Sequence, residues 1–136
     1  MQDKSIRSYN SVERVKKYDA DMEIMHPNRS KMIEIALEVL PFENSLGFSA
    51  LELGTGTGYF TYEFMRKFPN VKIISIEGAE SMIELARARL GNFTGNADFR
   101  IGDFRELDSL IKKTEKVSAV FLHIPCIIST EMKNRV

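Results

Sequence analysis

Three acids stand where chemistry would be needed, each at the point where an apolar run gives way to a turn: Glu52, Glu77 and Asp103. Leu51-Glu52-Leu53 leads into Gly54-Thr55-Gly56-Thr57-Gly58-Tyr59-Phe60, and the β-branched run Val71 to Ile76 ends in Glu77-Gly78-Ala79. Ala97 to Ile101 runs into Gly102-Asp103-Phe104. A carboxylate nineteen residues after Gly58, as Glu77 is, is placed to accept from both hydroxyls of a ribose. Asp103 can accept from an exocyclic amine, and the Phe104 N–H beside it can donate to a ring nitrogen. Together these groups describe a nucleoside. Glu52, at the end of the strand that enters a glycine loop, would sit poorly against a pyrophosphate and suits a ligand that carries an ammonium group. Any one of these acids could equally be a helix cap or a solvated loop residue. Three at the ends of successive strands is the informative coincidence.

Glycines 54, 56 and 58 let the backbone approach a ligand and take positive φ values that a side chain would penalise. A helix that starts behind them would add unpaired N–H groups and the positive end of its dipole. Two better-known glycine loops fit poorly. A phosphate-cradling P-loop needs Lys followed by Ser or Thr after its last glycine, where this chain has Tyr59-Phe60. The dinucleotide pattern wants a glycine at the sixth position counted from Gly54, which is Tyr59. A plain structural turn stays open on this motif alone.

The 136 residues suffice for one domain, and the 43% hydrophobic and 28% charged content is ordinary for a globular protein. Nineteen basic residues balance nineteen acidic ones, so the totals carry no strong nucleic-acid signal. Cys126 has no partner for an intramolecular disulfide, and with His26 and His123 it makes no familiar metal-ligand spacing. No run approaches a membrane span and the polar N-terminus lacks the apolar core of a signal peptide, so the expected setting is the cytoplasm.

The elements that must position the acids follow from periodicity. Residues 1–41 read as a helical cap: apolar spacings of three and four up to Met25, a break at His26-Pro27, then a helix over 31–40 with Met32, Ile35, Ala36, Val39 and Leu40 on one face. Tyr18 is a candidate for closing over a ligand, the plain alternative being a helix that only covers the sheet. From residue 42 strands and helices alternate: strands over 49–53, 71–77, 97–101 and 117–123, helices over 58–67, 80–90 and 105–113, with Ser129-Thr130-Glu131 opening a last helix. Such alternation predicts a doubly wound parallel α/β sheet, order 3-2-1-4, with helices on both faces.

With these motifs in order, the chain resembles the class I S-adenosylmethionine-dependent methyltransferases, whose sheet is Rossmann-like. Glu52-x-Gly54-x-Gly56-x-Gly58 matches that family's first motif, residues 77–86 its second, and residues 99–104 its third, the likeness covering about residues 45–123. The resemblance implies that Glu52, Gly54, Thr55, Gly56 and Gly58 hold the methionine part of S-adenosylmethionine. It implies Glu77 for the ribose and Met82, Asp103 and Phe104 for the adenine, with the backbone at Leu122 and His123 facing the reactive end. Gly78 replaces the apolar residue usual after the ribose acid. Methyl transfer is chiefly a matter of alignment, so no general base is demanded, although His123 could serve as one.

The family's sheet has seven strands, whereas this sequence reaches only a fourth and lacks an Asn-Pro-Pro-Tyr acceptor motif there. It is expected to be a fragment of a longer methyltransferase or a shortened version that only binds the cofactor. Three functions stay open: a methyltransferase acting on a small molecule or tRNA base, a catalytically silent cofactor-binding domain, and a nicotinamide-dinucleotide reductase. Val117, Val120, Phe121 and Ile124 would leave strand four with an apolar open edge, to be covered by a second copy in a homodimer or by the segment after His123 folded back. The homodimer is the preferred expectation.

Overall fold

The computed structural model describes residues 12–124 and 127–130, with side chains over 17–122. Helices α1 (Val12–Met25) and α2 (Arg29–Glu38) precede an alternation of β1 (Ser49–Leu53), α3 (Tyr59–Lys67), β2 (Lys72–Glu77), α4 (Glu80–Leu90) and β3 (Ala97–Ile101). A short helix α5 (Leu107–Leu110), strand β4 (Ala119–Ile124) and strand β5 (Ile127–Thr130) complete the described chain. The sheet order is β3-β2-β1-β4-β5, and the first four strands are parallel, as the periodicity predicts. β1 is central, with β2 on one side and β4 on the other, so the chain reverses its winding at the carboxyl end of β1. That reversal opens a crevice at the strand ends.

Aromatic burial holds the sheet to its helices. Phe48, Phe60, Phe64, Phe68 and Phe121 are all buried, and Phe42 stacks on Phe48 at 4.2 Å between ring centroids. Phe64 of α3 meets Phe121 of β4 edge to face at 4.7 Å, which seats α3 across β1 and β4. Behind it α4 buries Met82, Ile83, Ala86 and Leu90. No helix among the described residues is long and apolar enough to cross a membrane.

Three expectations are corrected. α2 buries Ile33 and Leu37, while Met32, Ile35 and Val39 of the expected face are exposed. Both sets recur at helical spacing, and contact with the phenylalanine cluster selects the first. The helix over 105–113 is broken into a 3₁₀ turn at Phe104–Glu106 and the four residues of α5. Groups that a continuing helix would use are taken: the Leu110 carbonyl accepts from Arg100 Nη1 at 2.6 Å, and the Lys112 N–H donates to Glu115 at 2.8 Å. Ser129 and Thr130 end a strand and do not open a helix. β5 pairs antiparallel with β4, Phe121 opposite Thr130 through Ile124 opposite Ile127, so the folded-back segment, one of the two covers expected for that edge, lies along it.

Candidate functional site

The glycine loop is built by backbone geometry. The Gly54 N–H donates to Ile76 O at 2.8 Å, prolonging the β1–β2 ladder by one residue, and the Gly58 N–H closes a turn on Thr55 O at 3.0 Å. Gly54, Gly56 and Gly58 have φ values of 78°, 55° and 78°, a region that only glycine visits freely. Their surroundings differ. A Cβ on Gly58 would lie 2.9 Å from both Cα and Cβ of Ala86 in α4, whereas one on Gly56 would meet nothing within 4 Å. Gly58 therefore serves helix packing, and Gly56 borders open space.

Glu52 lies beneath the loop and not at its mouth. Side chains alternate along a strand, so Glu52 shares a face with Ala50, and the register sets it opposite Ser75 under α3. Its carboxylate is 2% exposed and accepts from Thr61 Oγ1 at 2.7 Å and Ser75 Oγ at 3.1 Å. Thr55 Oγ1 adjoins Thr61 Oγ1 at 3.0 Å, which ties loop, helix and both central strands to one acid. Burial pushes the Glu52 carboxyl above its ordinary range; the hydroxyls of Thr55, Thr61 and Ser75 oppose the shift, and the charge of Glu77 adds to it.

A raised folded-state value means that the fold binds this proton more tightly than the unfolded chain does. The resulting stability is fully present below the ordinary glutamate range and is lost as pH rises through the raised value. Glu52→Gln removes that titration while keeping the shape. Urea midpoints of the variant are therefore expected to gain on those of the wild type as pH rises above the ordinary glutamate range. A difference independent of pH would show that Glu52 titrates alike in both states.

Glu77 faces the loop. Oε2 accepts from the Gly56 N–H at 2.9 Å and Oε1 from the Ala79 N–H at 3.1 Å, so two backbone donors clamp the carboxylate beside the open side of Gly56. Each oxygen keeps a further lone pair. The Gly102 N–H donates to Glu77 O at 3.1 Å, which brings the end of β3 alongside and carries Asp103 to the same edge. Asp103 is held by one neighbour: its carboxylate accepts from the Arg105 backbone N–H at 2.9 Å, from Nε at 2.8 Å, and from Nη2. Hydrogen bonds from that guanidinium hold the Asp103 carboxyl below its usual range. Phe104 is largely exposed beside it.

Around these acids, Gly78 is half-buried in the β2–α4 turn, and Tyr18 of α1 packs against Ala79 and Met82. Leu122 is half-buried and registers with Leu53, the last residue of β1. The His123 side chain and Cys126 lie outside the described residues. Cavities of about 450 Å³ between α2 and α3 and about 430 Å³ at the amino ends of the strands contain neither loop glycines nor strand-end acids.

The structure adds two residues that local spacing did not reveal. Asp19 Oδ1 accepts from Thr57 Oγ1 at 2.6 Å, and Asp19 Oδ2 pairs with Arg89 Nη2 at 2.7 Å. Arg89 Nη1 in turn donates to Thr57 O at 3.0 Å and to Thr57 Oγ1 at 2.9 Å. These partners stand 38 and 70 residues from Asp19, beyond any helical or strand period.

A parallel sheet that reverses at its central strand, with a three-glycine turn there and acids ending its first three strands, defines a Rossmann-like cofactor-binding domain. The chain belongs to the methyltransferase domain family, which matches residues 44–135. Over 108 residues it is 31% identical to a malonyl-[acyl-carrier protein] O-methyltransferase of Acetivibrio thermocellus, covering 79% of this chain and 36% of that relative. Among solved structures it is similar to a chain of the Haloferax volcanii complex between the Trm112 methyltransferase activator and a methyltransferase. The identity is 27% and the TM-score 0.56, over 78% of this chain and 42% of that one. A second, at 25% identity and TM-score 0.55, is phosphoethanolamine N-methyltransferase 1 of Haemonchus contortus, solved with phosphoethanolamine and S-adenosylhomocysteine, with 76% of this chain and 19% of that one covered. The chain thus spans little more than a third of the length of the Acetivibrio relative.

Proposed function

We propose that this chain binds S-adenosylmethionine at the carboxyl edge of its sheet and forms the cofactor-binding part of an enzyme that transfers the methyl group to an acceptor. The observation that carries the reading is the clamped Glu77 carboxylate beside the open side of Gly56. It offers two fixed acceptors, spaced as a vicinal diol requires, next to a backbone that a ligand can approach. Asp103, the Phe104 N–H and Met82 would take the adenine, and Tyr18, packed on Ala79 and Met82, would close over the ligand.

When bound, the cofactor supplies an electrophilic methyl group on a sulfonium. The work left to this chain is orientation, which is where most of the advantage in such a transfer lies. Glu52 supports the glycine loop from below through Thr61 and Thr55, and any attraction it exerts on the ligand's ammonium group acts through that loop.

The acceptor is the open part of the reading. The relatives' names include malonyl-[acyl-carrier protein], release factor glutamine and demethylmenaquinone, so chemistry diverges within one fold. A malonyl-[acyl-carrier protein] heads the acceptor screen because that name belongs to the relative with the longest match given above. A second reading is a domain that holds the cofactor without turning it over. Calorimetric titration with S-adenosylmethionine, S-adenosylhomocysteine and NAD tests the cofactor: micromolar binding of the first two is expected, and binding of NAD alone would overturn the proposal. Methyl transfer from labelled cofactor across acceptor classes then separates the enzyme from the silent domain.

A further inference from the structure

The described side chains of helix α1, residues 17–25, hold it to the body of the protein by little apolar surface. Among its described side chains only Met22 is buried, and Ile24 and Met25 near its end are mostly exposed. What it has in addition is Asp19. That carboxylate closes a ring with Thr57 in the glycine loop and Arg89 in α4, joining three elements through four hydrogen bonds of 2.6 to 3.0 Å. Thr57 sits between Gly56 and Gly58 and is itself 2% exposed, so the ring is anchored in the loop proper. Two guanidiniums depend on the one carboxylate: Arg89, and Arg29 with Nη1 at 4.0 Å, both lying over the Tyr59 ring at 5.5 and 4.0 Å. Arg29 Nε is buried with no hydrogen-bond partner among the described residues. Removing Asp19 would leave two neighbouring cations without their shared anion, a strong reason for α1 to move.

The residue before Asp19 is Tyr18, which packs on Ala79 and Met82. Ala79 is also the N–H donor to Glu77 Oε1. We infer that Asp19 is a positioning residue: by latching α1 onto the glycine loop it holds Tyr18 against the turn that carries the ribose-binding acid, so that seating of the N-terminal helix and binding of the nucleoside are coupled. The inference deepens the cofactor reading and rests on it. Asp19 touches no cofactor atom in this scheme, and its effect passes through Tyr18.

The test is a double-mutant cycle on the 136-residue chain, read by calorimetric titration with S-adenosylhomocysteine. Asp19→Ala is expected to weaken binding about tenfold, the order of a charge-assisted hydrogen bond. In a Tyr18→Ala background the same substitution should add less than about twofold, because its route to the ligand is already gone. Asp19→Asn keeps the volume and an oxygen for Thr57 but loses the charge opposite Arg89, so it should fall between the two if Asp19→Ala folds poorly. Amide hydrogen exchange of the ligand-free chain gives a readout that needs no cofactor: faster exchange over residues 18–25, with α4 still protected, supports the latch. Equal losses in both Tyr18 backgrounds would mean a merely structural role and overturn the inference, as would unchanged affinity in Asp19→Ala. If the wild type fails to bind S-adenosylhomocysteine, the cofactor reading falls and the inference with it, whereas wild-type binding with an indifferent Asp19 removes the inference alone.

Discussion

Replacing Glu77 with alanine is expected to weaken binding of S-adenosylhomocysteine by about 1.5–3 kcal/mol, or roughly 10- to 150-fold, in a chain that still folds. The magnitude is that of hydrogen bonds to a charged acceptor, and the substitution acts twice. It removes both oxygens that would meet the ribose, and it strips the Gly56 and Ala79 N–H groups of the carboxylate that holds them in place. Adenosine shares the ribose and should lose affinity by a similar factor. Glu77→Gln keeps one acceptor oxygen and should retain part of the binding. A folded Glu77→Ala variant with wild-type affinity would place the ribose elsewhere and sink the assignment of this strand end.

Gly58→Ala should strike the fold itself. At φ 78° an alanine costs about 1–2 kcal/mol. Its Cβ would also lie 2.9 Å from Cα and Cβ of Ala86, a fully buried residue of α4 whose backbone cannot step aside as a long side chain would. Overpacking of that kind costs about 1–3 kcal/mol, so a total on the order of 2–5 kcal/mol is expected in urea or thermal unfolding. Gly56→Ala is the matched control. Its φ is 55° and nothing lies within 4 Å of the new methyl, so only the backbone strain of about 1–2 kcal/mol applies. The ligand should rank the two variants the other way per unit of stability lost, because the Gly56 methyl projects into the space a cofactor would enter. Equal destabilisation by both would mean that α4 does not press on the loop.

How legible this chain was depends on the range of the forces involved. β1, α4 and β3 are legible to the residue, because short apolar stretches that end in glycine turns, a capping Gly91 and the switch to helical period are signals carried within a few positions. The order β3-β2-β1-β4 followed from the handedness of crossovers once the alternation was recognised. By contrast, the exposed face of α2 was misassigned even though its helix was expected. Met32, Ile35 and Val39 are as regularly spaced as Ile33 and Leu37, and only the phenylalanine cluster beneath distinguishes them. Strand β5 was read as the start of a helix from Ser129-Thr130, a capping signal that is local and weak. Pairing with β4 supplies what those residues cannot declare alone.

At the site the same division holds. That three acids end three successive strands, and that a glycine loop follows the first, is written in residue types whose backbone preferences act over one or two bonds. Which way each acid turns is not. Glu52 is carried under α3 by the parity of β1 and its register against Ser75, while Glu77 is turned to the loop by the N–H groups of Gly56 and Ala79. Asp103 is turned by Arg105 two residues on, and Asp19 finds Arg89 seventy residues away. Strand parity, register and the meeting of distant side chains are properties of the assembled sheet. Their energies depend on neighbours that no local window contains, so they become definite only when the helices have docked on the strands.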